Sequence, residues 1–326
     1  MLHIIINPNG ASGRTRKLWA RLEPVFASSG RRYEVHLSTP ERGISEICHE
    51  LTASAPENEA DEPELVLVGG DGSLNEALNG IADLSRVKVG LIPAGSGNDL
   101  ARDLELPKDP VAVARRILEG KVCRRSDIGE AELFGVCDMQ PLPRGTVQHG
   151  DYIRRRFLIS CGMGFDAAIC AYVTHSPLKK FLNILHLGKL SYIMGAIKLI
   201  FTYRNAGLDA LYDDREPIHY NRLLLAAVMN HRFEGGGFQF CPQADAQDGI
   251  LDTCFADPKN NMAFFRIFPT AYKGNHLRYD VVHADRGRRI ELSSPCSLWV
   301  HTDGEVSGRA TRLVLRTLDT RLRLLM

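Results

Sequence analysis

Residues 65–80 read Leu-Val-Leu-Val-Gly-Gly-Asp-Gly-Ser-Leu-Asn-Glu-Ala-Leu-Asn-Gly. An apolar run stops at Gly69-Gly70-Asp71-Gly72, and a helical spacing starts directly after it. A strand, a glycine turn and a helix N-terminus in that order hold anions, because exposed backbone N–H groups and the helix dipole meet there. Three glycines in four positions let the backbone reach a ligand that side chains would hold off. Asp71 stands in the middle, and a carboxylate among phosphates makes sense only with a cation or a hydroxyl partner.

The stretches around it repeat the design. Ile4–Ile6 reads as a strand followed by the turn formers of 7–13. Leu18, Leu22, Val25 and Phe26 share one side of a helix over 14–29. Tyr33, Val35 and Leu37 alternate as a strand over 33–38, and Ile44, Ile47, Cys48 and Leu51 return to helical spacing. Leu65–Val68, Leu74–Ile81, Val87–Ile92 and Val111–Leu118 continue as strand, helix, strand, helix, and Cys123–Asp127 leads out. Short apolar strands separated by helices predict a parallel, layered α/β nucleotide-binding domain over 1–126.

From about 127 the pattern becomes β: 128–136, 152–161, 219–229, 250–256, 279–284, 288–293, 297–302 and 312–318, joined by Gly, Pro and Asp turns. This predicts a mostly antiparallel, sandwich-like second domain over 127–318, with one clear helix at 178–203. Residues 319–326 are apolar enough for a strand returning to the first domain.

The bulk properties narrow the function. The chain has 326 residues, which favours two domains, and a formal net charge of +1, which gives no field to draw nucleic acid. Its eight cysteines include no Cys-x-x-Cys and its 11 histidines no His-Glu-x-x-His, so the spacing supports neither zinc nor disulfides. Reduced thiols predict a cytoplasmic protein. The N-terminus lacks the run and cleavage site of a signal peptide. The most apolar stretch, 181–201, is broken by His186, Lys189 and Lys198.

A second loop, Pro93-Ala-Gly95-Ser96-Gly97-Asn98-Asp99, also follows a strand and opens a helix. In a parallel sheet such loops converge on one edge, with the 7–13 loop and Thr39 at equivalent strand ends. Any one of these loops alone is an ordinary βα turn; together they predict a nucleotide cradle. Other stretches have bland readings. Asp303-Gly-Glu305 by itself is a hairpin turn, Asp248-Gly249 a plain turn and Arg154-Arg155-Arg156 a solvated strand face, while 178–201 is either a core helix with its lysines in water or a membrane-surface helix with basic anchors.

At this point the motifs form a set. Asn7-Pro-x-Gly10, Gly69–Gly80, Pro93–Arg102, Asp127-Ile-Gly, Gly162-Met-Gly-Phe-Asp-Ala167, Gly235-Gly-Gly237, Pro242-x-Ala-x-Ala-x-Asp248-Gly-x-Leu-Asp252 and Asp303-Gly-Glu305 occur in order along the whole chain. This set resembles the diacylglycerol kinase and sphingosine kinase superfamily, most closely its bacterial lipid kinases. Ser73 departs from the family's usual Thr but keeps the hydroxyl.

The resemblance implies ATP and Mg²⁺ in a cleft between two domains and γ-phosphoryl transfer to a lipid alcohol. It implies a nucleotide site of Asn7, Ser12, Thr39, Gly69, Gly70, Asp71, Gly72, Ser73, Leu74, Asn75, Glu76, Gly95, Ser96 and Asn98. It makes Asp71 the organiser of phosphates through Mg²⁺ and Glu305 the general base. Asp303 would share base and metal duties, on the same side if the segment is extended. A structural Mg²⁺ would be held by the Asp248 carboxylate and the carbonyls of Asp245 and Ile250, oxygen ligands suited to a hard cation. Transient contact with a membrane surface is expected; a homodimer is admitted but not specified. A soluble-substrate kinase of the NAD kinase type and a non-catalytic nucleotide- or lipid-binding regulator stand as alternatives.

Overall fold

The computed structural model describes residues 1–54, 58, 61–138, 141–175 and 188–326, with backbone alone at 11–12, 122–123, 175 and 188–193. The chain divides into two compact units, Met1–Asp127 with Asp319–Met326, and Ile128–Leu318.

In the first unit, β1 (Leu2–Ile6), α1 (Arg14–Ala27), β2 (Tyr33–Leu37), α2 (Ile44–Thr52), β3 (Glu64–Gly69), α3 (Asp71–Gly80), β4 (Lys88–Pro93), α4 (Asp99–Asp103), α5 (Pro110–Leu118) and β5 (Val122–Ser126) follow one another. The strand β19 (Leu322–Leu325) completes the sheet, whose order is β2-β1-β3-β4-β19-β5. Pairing is parallel except between β19 and β5. β1 and β3 are buried along their whole length, as expected of central strands covered on both faces. Leu2, Ile4, Ile6, Val66, Val68 and Ile92 meet Leu22 and Phe26 of α1 and Val113 and Ile117 of α5 in one core. The strand β5 adds regular structure where the sequence predicts only an exit segment. Arg321 Nε donates to the buried Asp127 Oδ1 at 2.6 Å and Arg323 pairs with Glu62 at 2.6 Å, fixing the start of β19.

The second unit contains β6 (Gly129–Phe134), β7 (Val147–His149), β8 (Tyr152–Phe157), β9 (Ser160–Gly164), α6 (Phe165–His175), α7 (Gly188–Ile200), β10 (Ala206–Tyr212), β11 (Ile218–Leu223), β12 (Leu225–Met229), β13 (Phe233–Glu234), β14 (Phe238–Gln239), β15 (Leu251–Ala256), α8 (Phe264–Ala271), β16 (Val282–Gly287), β17 (Arg289–Thr302) and β18 (Glu305–Thr317). Eleven of these strands form one antiparallel sheet, β16-β15-β12-β9-β17-β18-β6-β8-β7 with β10 and β11 branching from β17. Side chains from nine of them fill a single core, including Leu133, Phe157, Met163, Val228, Phe255, Leu292 and Leu313, so the sheet folds over on itself.

Three expectations change. The two predicted strands 288–293 and 297–302 are one strand, β17, with a register shift between Ser293 and Leu298. Helices α6 and α8 join α7, because Gly164 turns the chain out of the sheet at φ 115° and Pro269 is accommodated inside a short helix. Arg155 is not solvated: it is 1% exposed, on the core face with Ile153 and Phe157. Its guanidinium donates to Thr302 Oγ1 (3.1 Å), Thr146 Oγ1 (2.6 Å) and the Pro143 and Arg144 carbonyls (3.1 and 3.0 Å), so the buried charge is hydrogen-bonded. The predicted helix at 178–203 falls partly on 176–187, outside the described residues; α7 occupies its second half.

Candidate active site

Because β2, β1, β3 and β4 are parallel, their carboxyl ends share one edge, and the order β2-β1-β3 puts a topological switch point between β1 and β3. Open α/β sheets bind ligands there. Asn7, the 3-10 turn Gly10–Gly13 that carries Ser12, Thr39, Gly69–Ser73 and Gly95–Asn98 all follow those strand ends.

The loops are held by short-range bonds. Asn7 Oδ1 accepts the Asn9 N–H at 3.0 Å, and Thr39 Oγ1 accepts the Arg42 N–H at 3.1 Å. The Ala94 N–H donates to the Gly69 carbonyl at 2.8 Å, tying the two glycine loops together. Asn98, at φ 53°, donates from Nδ2 to the Gly95 carbonyl at 2.9 Å while its Oδ1 lies buried without a hydrogen-bond partner. Asp71 has partners within its own unit. Its Oδ2 accepts the Asp99 N–H at 3.0 Å and its Oδ1 the Leu100 N–H at 3.4 Å, which caps α4. Glycine loops at strand ends offer the backbone N–H donors that suit a nucleotide phosphate chain, whereas the orphaned Asn98 oxygen calls for a hydrogen-bond donor or a cation.

Three predicted site residues point elsewhere. Helix α3 begins at Asp71, so Leu74 and Asn75 turn inward and are buried. Glu76 Oε1 accepts the Ile44 and Ser45 N–H groups at 2.7 and 3.3 Å, so its carboxylate serves the start of α2.

In the second unit, Asp303 and Gly304 form the tight turn of the β17–β18 hairpin, at φ 51° and 82°. The segment is therefore not extended, and the premise for pairing Asp303 with Glu305 does not hold. Asp303 accepts the N–H groups of Leu158, Ile159 and Ser160 at 3.0, 2.8 and 3.0 Å, which makes it a structural staple. Glu305, the first residue of β18, is exposed. Beside the turn lies a cluster the sequence did not single out. His301 is fully buried, with Nε2 at 3.1 Å from both Asp166 Oδ2 and Glu234 Oε1, and Nδ1 accepting the Gly304 N–H at 3.1 Å. Burial lowers the pKa of the imidazole, but the two carboxylates outweigh it and hold it well above the ordinary value. Asp166 lies within the quoted Gly162–Ala167 motif; His301 in a strand reads as an ordinary core histidine.

Two of the three predicted metal ligands, the Asp248 carboxylate and the Asp245 carbonyl, are engaged by protein. Asp248 Oδ1 accepts the Ile250 N–H at 3.0 Å, its Oδ2 pairs with Arg286, and the Asp245 carbonyl accepts the Asp248 N–H at 3.3 Å. A guanidinium supplies the positive charge, so this arrangement does not fit a bound Mg²⁺.

A cavity of about 650 Å³ lies among Ala168, Tyr172, Leu199, Tyr203, Trp299 and Arg309. Near it, Met194, Ile197 and Phe201 are exposed at 43, 45 and 66%, and Phe201 meets Phe265 at 6.2 Å between ring centroids. Among the described residues no helix is long and apolar enough to cross a membrane.

Residues 1–131 match the diacylglycerol kinase catalytic domain, and residues 160–326 match the YegS C-terminal NAD kinase beta sandwich-like domain. The chain is 28% identical over 242 residues to a diacylglycerol kinase of Mycobacterium tuberculosis (strain CDC 1551 / Oshkosh), covering 74% of this chain and 70% of that one. It is 24% identical over 307 residues to a diacylglycerol kinase of Bacillus subtilis (strain 168), covering 94% and 89%. A crystal structure of a diacylglycerol kinase from Bacillus anthracis str. Sterne superposes with a TM-score of 0.65 at 19% identity, covering 97% of this chain and 93% of that one, and so shares the fold.

Proposed function

The chain belongs to the family of kinases that join a diacylglycerol kinase catalytic domain to a YegS-like C-terminal domain, and from that premise we propose that it transfers the γ-phosphoryl group of ATP to a lipid hydroxyl, with diacylglycerol as the first acceptor to test. The packing of the Gly69–Ser73 and Gly95–Asn98 loops at the switch-point edge carries this reading, because it gives a backbone cradle for the phosphate chain. Asn7, Ser12, Thr39 and Ser96 complete the nucleotide side. Asp71 would hold Mg²⁺ against the nucleotide phosphates, and the ion, when bound, would neutralise charge on the transferring phosphoryl group.

The chemistry needs a positioned hydroxyl and a proton acceptor. The lipid oxygen attacks the γ-phosphorus, the bond from that phosphorus to the β–γ bridging oxygen breaks, ADP leaves, and the hydroxyl proton passes to Glu305. An exposed carboxylate at the start of a pinned hairpin suits that role. The cavity by α6 and α7 has the volume of a small-ligand site, and the exposed Met194, Ile197 and Phe201 would meet the bilayer surface where a lipid acceptor resides.

Incubation with Mg²⁺, γ-labelled ATP and a panel of lipid alcohols is expected to yield organic-extractable label, diacylglycerol giving most. Label found on NAD and on no lipid would replace this reading with the soluble-substrate alternative.

A further inference from the structure

We propose that His301 is a positioning residue that holds the turn presenting Glu305, working as a hydrogen-bond relay from Asp166 and Glu234 to the Gly304 amide. The consequence for catalysis rests on Glu305 being the proton acceptor; the relay itself does not.

Backbone geometry fixes the tautomer. The Gly304 N–H lies 3.1 Å from His301 Nδ1 and is a donor, so that nitrogen must offer a lone pair. With Nδ1 accepting from an amide the imidazole is in its neutral form, its one ring proton on Nε2 beside two carboxylate oxygens at 3.1 Å, so the Gly304 N–H opposes the imidazolium that those carboxylates favour. A second oxygen of each carboxylate, Asp166 Oδ1 and Glu234 Oε2, is buried without a hydrogen-bond partner.

The surroundings are shaped to this purpose. Gly162 pairs with His301 across β9 and β17, and a Cβ on it would stand 2.4 Å from Nε2 and 1.9 Å from Asp166 Oδ2. The register of β17 on β18 shifts between Val300 and His301, where Gly308 and then Val306 are the partners. Such a bulge re-aims the end of a hairpin. Asp303 pins the turn from one side through Leu158, Ile159 and Ser160, and His301 pins it from the other.

The same three side chains come close enough to ligate a metal ion. A metal on Nε2 would require the proton on Nδ1, where it would face the Gly304 N–H as a second donor. The geometry therefore favours the relay over a metal centre.

Two substitutions separate these roles. In His301→Asn, the side-chain oxygen can replace Nδ1 as acceptor for the Gly304 amide. In His301→Gln, the longer side chain reaches the position of Nε2 and leaves Gly304 unserved. The relay predicts that the Gly304 amide is protected from hydrogen exchange in the wild type and in His301→Asn, and at least tenfold less protected in His301→Gln. In the lipid kinase assay, kcat should stay within about threefold in His301→Asn and fall at least thirtyfold in His301→Gln, with KM for ATP unchanged in both.

Equal exchange in all three proteins, or better kcat in His301→Gln than in His301→Asn, overturns the relay. So does one equivalent of Zn²⁺ or Mn²⁺ bound by tag-free wild type and lost in both variants. Glu305→Gln is measured alongside: normal kcat there with the exchange pattern intact removes the catalytic consequence and leaves the relay standing.

Discussion

A Cβ added to Gly70 would stand 2.9 Å from the Cα of Gly95, and one added to Gly95 would stand 2.8 Å from the Cα of Gly70. The neighbouring atoms are backbone, so no side chain can swing away to make room. Gly95→Ala must push the two loops apart. A displacement of this kind costs about a hundredfold in a positioned reaction, so kcat/KM for ATP should fall by about that factor. Steady-state kinetics with varied ATP tests it; activity within twofold of wild type would mean that loop spacing does not matter.

Asp303 and Glu305 should separate stability from turnover. Removing the Asp303 carboxylate strands three backbone N–H groups. At about 1–3 kcal/mol for each buried donor left unmade, Asp303→Ala should lose roughly 3 kcal/mol or more in urea unfolding. Glu305→Gln should keep the wild-type unfolding midpoint and lose about 10²–10⁴ in kcat. The reverse pattern would exchange their roles.

Metal removal should leave the nucleotide-free protein unmoved. Arg286 pairs with Asp248 and lies 3.8 Å from the buried Asp252, so it already supplies the cation there. The Tm of the wild type is expected to be the same in EDTA and in millimolar Mg²⁺. Arg286→Leu should be less stable by about 1 kcal/mol, a figure limited by the solvent exposure of the guanidinium, and should regain part of that with Mg²⁺. A drop in wild-type Tm on chelation would restore Asp245, Asp248 and Ile250 as a metal site.

The ring nitrogens of His3 and His36 meet at 3.1 Å on β1 and β2, both residues being 9% exposed. Burial and the neighbouring ring lower the His3 pKa; burial, opposed by Glu34, lowers that of His36. Unfolding restores the ordinary value near 6.5, so the unfolded chain binds more protons below it. Stability from this pair is present above about pH 6.5 and is lost as the pH falls. Replacing both residues with Phe should flatten the difference in urea midpoint between pH 7.5 and 5.5. An unchanged difference would assign that pH dependence to other groups.

The apolar face of α7 can be tested separately from chemistry. Changing Met194, Ile197 and Phe201 to Ser should lower turnover of vesicle-presented acceptor about tenfold, in line with lost apolar insertion. Turnover of a short-chain, water-dispersed acceptor should be unaffected. Equal losses on both would make this face a packing surface.

The first unit was the more legible part. Runs such as Leu65–Val68 are buried on both faces, so parallel strands follow from local pattern, while the glycine loops point to a phosphate edge only because several of them end neighbouring strands. Leu74, Asn75 and Glu76 point elsewhere because a motif gives spacing but not helix phase; starting α3 at Asp71 rotates Leu74 and Asn75 inward and Glu76 toward α2. Arg155 and His301 were hidden for a different reason. Each is a polar residue on a core face, and only partners far along the chain, Pro143 and Thr302 for one and Asp166 and Glu234 for the other, make such burial tolerable. The Asp248 turn was legible as a turn, but Arg286, the residue that decides its charge, lies on another strand.

The position of β19 bears on how the molecule is made. It lies between β4 and β5, so the sheet at whose edge we place the nucleotide lacks an inner strand until residues 319–326 have been synthesised, after all of Ile128–Leu318. During translation, β4 has an open edge whose hydrogen-bonding groups await a partner. A fragment ending near residue 127 would retain that edge and should aggregate or fold poorly, although every glycine of the cradle is present in it. A working first unit made alone would need Arg321–Leu325 joined after β5 by a short linker.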